Sequence, residues 1–257
     1  MLRTRFIPVL LLKNDSLVKT VNFKNSSYIG DPVNTVRIFN ELEVDELIFL
    51  DIAATPNNNF PNFKILTEIA NECFMPLSYG GGIKDFDTVK HIMDIGFEKV
   101  VLNTVTHKNL PLIASIVDHY GSQAVVVSID VKKNIFGKKE VWTNSGTVNT
   151  KKNPVEWARQ MEKIGVGEIF ITSIDREGTW SGFDKELTKS IAEAVNVPVI
   201  AHGGAGTNQD IIDVIEKGNA SAVALGSMVV YQKKGMGVLV NFPDTQLLDK
   251  IRELKKV

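Results

Sequence analysis

Residues 76–104, PLSYGGGIKDFDTVKHIMDIGFEKVVLNT, and residues 198–227, PVIAHGGAGTNQDIIDVIEKGNASAVALGS, lie over one another without a gap. Pro76 falls on Pro198, Gly81 on Gly203, Gly82 on Gly204 and Gly96 on Gly218, at a constant offset of 122 residues. Each stretch reads as strand, glycine turn, amphipathic helix, strand. The repeat predicts two similar halves. Each half carries a turn in which glycine lets backbone amides approach an anion, with a helix start behind it. A ligand with two separated phosphates is the first expectation.

Outward from the repeat, short β-rich runs alternate with helical patterns along the whole chain. The predicted strands cover 6–12, 46–51, 75–79, 99–103, 124–130, 168–174, 198–201 and 220–225. They are nearly continuous apolar runs, as expected of parallel strands covered on both faces. Amphipathic segments at 32–43, 86–95, 154–164, 185–195 and 209–217 separate them. Asp31 before Pro32 and Asn153 before Pro154 are helix starts, a capping side chain followed by proline in the first turn. Eight such units predict an α/β fold, a single (β/α)8 barrel over 1–257 with half-barrels at about 1–122 and 123–257, rather than an open doubly wound sheet. Two connections are long, 13–31 and 131–152, each after the first strand of a half. Both are expected over the catalytic face, the second (with KEVWT) holding a small hairpin.

Composition narrows the function classes. The chain has 257 residues, 44% of them hydrophobic, and a formal charge of −1 with pI near 6.4. That balance excludes a general nucleic-acid or acidic-membrane binder. Cys73 is the sole cysteine, so there is no internal disulfide or cysteine-based metal site, and a reducing cytoplasm is expected. The opening MLRTRFIPVLLLKND has an apolar run, but Pro8 and the lack of a small-residue cleavage site favour a buried first strand over a leader. No apolar run nears the ~20 residues that span a bilayer.

Candidate chemistry gathers at strand ends. Gly81, Gly82, Asn103 and Thr104 in one half, and Gly203, Gly204, Gly226 and Ser227 in the other, are suited to phosphate oxygens, although either turn alone reads equally as a tight turn. Asp51, Asp130, Asp175 and Glu177 lie where the mouth of a barrel does acid–base chemistry. Asp51 and Asp175 serve equally as acceptors for loop amides, whereas Asp130 is the stronger catalytic candidate. Aligning FIPVLL with VVVSID puts Leu11 opposite Asp130, and leucine moves no proton. At the other end Arg5, Glu46, Lys99 and Glu168 stand at strand starts. Taken alone they read as solvated charges, with a neutral ring closing the barrel base as the alternative. His91, His107 and His119 read as helix or loop surface residues, and His202, in the second glycine turn, as a residue shaping the site rather than a metal ligand.

RFIP, LVKTVNF, GDPVN, DELIFLDI, YGGGIK, GSQAVVVSID, GVGEIFITSIDREGT and GGAG together resemble the HisF family, the cyclase subunit of imidazole glycerol phosphate synthase, over residues 1–245. The resemblance implies a two-half barrel with one phosphate site per half, at the eight positions named above. It implies roles for Asp130 as one of two catalytic aspartates, for Lys19 as a mobile-loop lysine near substrate and for Glu177 at a substrate-contacting acid. It makes Arg5, Glu46, Lys99 and Glu168 a gate that passes ammonia from a docked glutaminase. No cofactor, metal, nucleic acid or membrane is implied. Leu11 departs from the pattern, standing where the other catalytic aspartate belongs. His202 and Tyr79 stand at positions where the family's site has smaller residues, and MVVYQKKGMGVLVNFP after Ser227 runs differently. These departures resemble a paralogous branch found with surface-polysaccharide genes, working with a glutaminase and a separate sugar-amidating enzyme. The expected function is a HisF-like synthase subunit delivering ammonia for sugar amidination. The alternative is an active cyclase of histidine biosynthesis.

Overall fold

Strand β1 (Arg5–Lys13) runs into an antiparallel pair, β2 (Ser16–Val21) and β3 (Lys24–Gly30), before helix α1 (Pro32–Glu41) in the computed structural model, which describes residues 3–253. β4 (Leu47–Asp51), α2 (Phe63–Glu72), β5 (Leu77–Gly80), α3 (Phe86–Ile95), β6 (Lys99–Leu102) and α4 (Leu110–Tyr120) follow. The plan then repeats. β7 (Val125–Lys133) carries β8 (Lys139–Thr143) and β9 (Val148–Asn149), and α5 (Pro154–Ile164), β10 (Glu168–Ser173) and α6 (Lys185–Ala192) come next. β11 (Val199–His202), α7 (Asn208–Glu216), β12 (Ala222–Leu225), the short α8 (Ser227–Val230) and α9 (Thr245–Glu253) end the described chain.

Eight strands, β1, β4, β5, β6, β7, β10, β11 and β12, pair in parallel in that order, and β12 returns to β1. This is a closed (β/α)8 barrel. Each strand splits its apolar residues by alternation. Ile7 and Val9 face inward with Ile48, Val126, Phe170 and Ile200, while Phe6, Leu10 and Leu12 face the helix layer. Full burial of each such side chain contributes roughly 1.5–3 kcal/mol of transfer free energy, which is why the strands read as unbroken apolar runs. Asp31 Oδ1 accepts from Asn34 N at 2.8 Å and Asn153 Oδ1 from Val155 N at 2.9 Å, so both expected caps form. The tail packs back on the base of the barrel, where Arg252 Nη2 meets Asp45 at 2.7 Å beneath the start of β1.

The two long connections differ from expectation in one respect. The second does hold a hairpin, β8–β9. The first is also sheet rather than loop: β2 pairs antiparallel with both β1 and β3. Its turns are Asn14-Asp15 (φ 50° and 62°) and Asn22-Phe23 (φ 53° and 62°). Two consecutive left-handed residues match the right-handed twist of a hairpin. The repeated pair Gly96 and Gly218 also diverges. Gly96 ends α3 with φ at 118°, whereas Gly218 is held by space, since a methyl group there would meet Val214 O at 2.5 Å.

Candidate functional site

A cavity of about 790 Å³ opens at the carboxyl ends of the barrel strands. Leu11, Leu50, Asp130, Thr172, Glu177 and His202 line its floor and walls, and Gly81, Gly82, Asn103 and Thr104 line one side. Gly203, Gly204, Gly226 and Ser227 do not reach it. The two turns related by the repeat are therefore placed differently. Only the first opens onto the space.

Asp130 is buried on β7. Its Oδ1 accepts from Ser128 Oγ and its Oδ2 from Asn103 Nδ2, each at 3.2 Å. Burial pushes its carboxyl up to about 7, against the opposing pull of the Ser128 and Thr172 hydroxyls. A carboxyl that changes state near neutrality is suited to passing a proton. Leu11 occupies the matching place on β1 and belongs to the apolar cluster that fills the barrel.

Glu177 is buried beside the hairpin. Its Oε2 accepts from Thr20 Oγ1 at 3.0 Å, and its backbone carbonyl accepts from Asn22 N at 2.9 Å. Burial raises its carboxyl, with the Lys19 ammonium pulling the other way. Glu177 thus latches β2–β3 to the second half while facing the cavity. Lys19, expected on a mobile loop, sits within β2, buried, and donates to Val9 O at 2.7 Å. Burial lowers its amine to about 8, against the pull of Glu177.

His202 ends β11. Its Nδ1 shares a 3.2 Å hydrogen bond with Thr172 Oγ1, and its ring stacks on Phe170 at 5.1 Å. Burial, with Lys19 nearby, lowers the imidazole to about 3, so it is neutral at physiological pH. Asp51 Oδ1 accepts from Ala53 N and Ala54 N, both at 2.9 Å, and Asp175 Oδ2 from Lys133 N at 2.9 Å. Both serve loop amides, and Asp51 also borders the cavity.

Two sequence expectations need correction. Tyr79 points away from the site: its ring packs edge-on against Phe97 at 5.9 Å in the helix layer, and its hydroxyl is buried without a partner among the described residues. His107 is not a surface residue. It is half-buried and stacked on Trp157 at 4.2 Å, and burial and Lys152 lower it to about 4.

At the opposite end of the barrel the four strand-start charges form a closed ring. Arg5 Nη1 meets Glu46 at 2.6 Å and Arg5 Nη2 meets Glu168 at 3.0 Å. Lys99 Nζ meets Glu46 at 3.0 Å and Glu168 at 3.3 Å. Ser78 Oγ adds a 2.7 Å hydrogen bond to Glu46. With side chains 3% (Glu46), 13% (Lys99) and 12% (Glu168) exposed, these are not solvated surface charges. Alternating signs offset the cost of removing them from water. The ring closes the base below the apolar barrel interior.

Sequence reasoning missed the lysine-rich border of the cavity and the latch role of Glu177. Lys24, Lys84 and Lys108 are scattered in the chain, and only the hairpin and barrel closure bring them to one rim. Among the described residues, no helix is long and apolar enough to cross a membrane.

Known proteins agree with this architecture. The histidine biosynthesis protein family profile matches residues 5–235. A Pseudomonas aeruginosa protein provisionally named imidazole glycerol phosphate synthase subunit hisF2 is 51% identical over 249 residues, 97% of this chain and 99% of its own length. A similarly provisional HisF subunit of Leptospira borgpetersenii is 43% identical over 95% of this chain and 96% of its own. The imidazole glycerol phosphate synthase subunit HisF of Alkaliphilus metalliredigens is 40% identical over 91% of this chain and 92% of its own. The chain therefore belongs to the histidine biosynthesis protein family.

Proposed function

We propose that this chain is a HisF-type synthase subunit that docks a glutaminase at the barrel base, conducts ammonia through the barrel and holds a phosphate-bearing ligand at the mouth. The ammonia serves amidination of a nucleotide-linked or free sugar by a third, cytoplasmic enzyme of surface-polysaccharide synthesis. One observation carries this reading: a complete charged ring stands below a mouth whose acid pair is half replaced by Leu11. In this reading Arg5, Glu46, Lys99 and Glu168 are the gate. Above it the apolar lining of Ile7, Val9, Ile48, Val126 and Phe170 passes neutral ammonia and penalises ammonium, because an unpaired charge is costly there. Gly81, Gly82, Asn103 and Thr104 hold the phosphate. The numbered name hisF2 carried by the Pseudomonas aeruginosa relative fits a chain that stands apart from the main cyclase. The test is co-purification with a glutaminase and stimulation of its glutamine hydrolysis. A glutaminase that neither binds nor responds sinks the proposal.

A second reading is a working cyclase, converting ammonia and the ribulosyl aminoimidazole carboxamide phosphate into imidazole glycerol phosphate and an aminoimidazole by-product. The elevated Asp130 carboxyl favours it, as does the name of the Alkaliphilus metalliredigens relative. Asp130 would act with Glu177 in place of a second aspartate, and Lys19 would have to leave Val9 O to reach substrate. Removing one general acid or base costs about 10²–10⁴-fold, so feeble turnover is expected. Vigorous ammonia-dependent cyclisation by the purified chain would reverse the order of the two readings.

A further inference from the structure

Lys19 and His202 converge on Gly226, at the strand end that belongs to the second half's phosphate candidates. A methyl group built on Gly226 would stand 2.9 Å from Lys19 Nζ and 3.4 Å from His202 Nε2. Both side chains thus lie over the strand end where a second phosphate would rest. Neither is loose. His202 is fixed by Thr172 and Phe170, and Lys19 is tied to Val9 O. Beside them Gly204 O accepts from Gly182 N at 2.8 Å, so the chain folds its own loop across the second glycine turn.

The charge around the cavity is lopsided in the same sense. Lys13, Lys24, Lys84 and Lys108 border it, all from the first half, and none pairs with a carboxylate among the described residues. The second half contributes Ser128, Asp130, Thr172, Glu177 and His202 to the lining, along with the Ser145 and Thr147 hydroxyls, and no lysine or arginine. With the imidazole held neutral by burial, that side offers a second phosphate no positive charge at the cavity surface.

We infer that the mouth takes a phosphomonoester whose single phosphate rests at Gly81, Gly82, Asn103 and Thr104 and whose other end is uncharged and rich in hydroxyls. His202 is the specificity-determining residue, filling the place of a second phosphate. Hydroxyls of the ligand meet Asp130, Thr172 and Glu177, groups that exchange hydrogen bonds with neutral polar atoms at no electrostatic cost. This inference rests on the proposed reading of the mouth as a phosphate-ligand site, and it narrows the ligand to one anionic end.

The test is isothermal titration of the full chain, at one ionic strength, with a pentose monophosphate, the corresponding pentose bisphosphate and the free pentose. The monophosphate should bind. The bisphosphate should bind no tighter, and the free pentose about tenfold more weakly or worse, the worth of a charge-assisted contact. Asn103→Asp should weaken the monophosphate about tenfold by placing like charge beside it. His202→Ser should expose Gly226 to the cavity with Lys19 behind it, and the bisphosphate should then gain about tenfold over the monophosphate. Wild-type preference for the bisphosphate by about tenfold overturns the inference, as does failure of all three probes to bind or an unchanged ratio in His202→Ser. Glutaminase stimulation, read in parallel, separates the two ideas. Bisphosphate preference with intact stimulation removes this inference alone, and lost stimulation with monophosphate selectivity removes the proposed function alone.

Discussion

Leu11 and Asp130 hold equivalent places in the two halves of the barrel. Leu11 is in register with Leu50 on its parallel neighbour and with Val18 on the antiparallel hairpin strand. Asp130 is in register with Thr172 and Trp142 in the same two directions. The alignment of FIPVLL with VVVSID therefore describes real structural equivalence. Around Asp130 there are hydroxyls and an amide, and around Leu11 there are Leu50, Val18 and Val9.

That contrast sets the outcome of Leu11→Asp. The new carboxyl enters an apolar neighbourhood of Leu50, Val18 and Val9, so burial raises its pKa above the ordinary ~3.9. Its charged form destabilises the fold by about 2–5 kcal/mol at pH 8, with the cost shrinking as pH falls toward the unfolded value. Urea unfolding at pH 8 and pH 4 measures this, and equal losses at both pH values would contradict it. Cyclisation assayed on the same sample tests the second functional reading, which expects turnover to rise when the acid pair is restored.

Asp130→Asn probes the other half. The native carboxyl titrates at about 7 rather than near 3.8. A raised carboxylate pKa means that the fold favours the protonated form. Its contribution is intact below the unfolded value and is lost as pH rises through the folded one. The difference corresponds to on the order of 4 kcal/mol, given 1.36 kcal/mol per pKa unit. Asparagine never ionises and still pairs with Asn103 and Ser128. The variant should therefore gain stability over wild type progressively between about pH 4 and pH 7 and match it more closely at low pH. A Tm difference independent of pH would remove the case for a neutral-range Asp130.

Tyr79→Phe should stabilise the protein. The Tyr79 hydroxyl is buried against the helix layer without a hydrogen-bond partner among the described residues, and burial, with Asp51 adding to it, pushes its pKa up. Losing an unsatisfied hydroxyl while keeping the ring removes a desolvation penalty of about 1–3 kcal/mol. Chemical denaturation should show a higher midpoint with an unchanged slope. A lower midpoint would mean that the hydroxyl has a partner after all.

How much of this was legible in the chain follows from which signals are local. The barrel was legible because each unit carries its own apolar run, cap and turn, as at Asp31-Pro32 and Asn153-Pro154. The β2–β3 hairpin was not, because its Asn22-Phe23 turn lacks the glycine that usually marks two left-handed residues. Which way a strand residue points depends on register. The resemblance therefore put Tyr79 at the site, although alternation turns it to the helices. The convergence of Lys19 and His202 on Gly226 was equally hidden, because the two meet only when β1 pairs with β12. Position at strand starts singled out Arg5, Glu46, Lys99 and Glu168, but only barrel closure turns four separate strand starts into one ring.

That ring supplies the last prediction. Lys99 bridges Glu46 and Glu168, and Arg5 bridges the same two acids on the other side. Glu168 already has one buried oxygen, Oε2, without a hydrogen bond among the described residues. In Lys99→Met the stem volume is kept and the charge is lost, leaving two carboxylates with one guanidinium. Charge-assisted hydrogen bonds of this kind are worth about 1.5–3 kcal/mol each when a partner is removed, and partial exposure places the loss toward the lower end. Combining Lys99→Met with Glu168→Gln should recover part of that loss, since the second change removes the carboxylate left in excess. A double-mutant cycle by urea unfolding reads the coupling directly. Additive losses would show four independent charges. Coupling of about 1 kcal/mol or more would show one ring, and under the proposed function the same variants should leave glutamine hydrolysis running while lowering the ammonia that reaches the mouth.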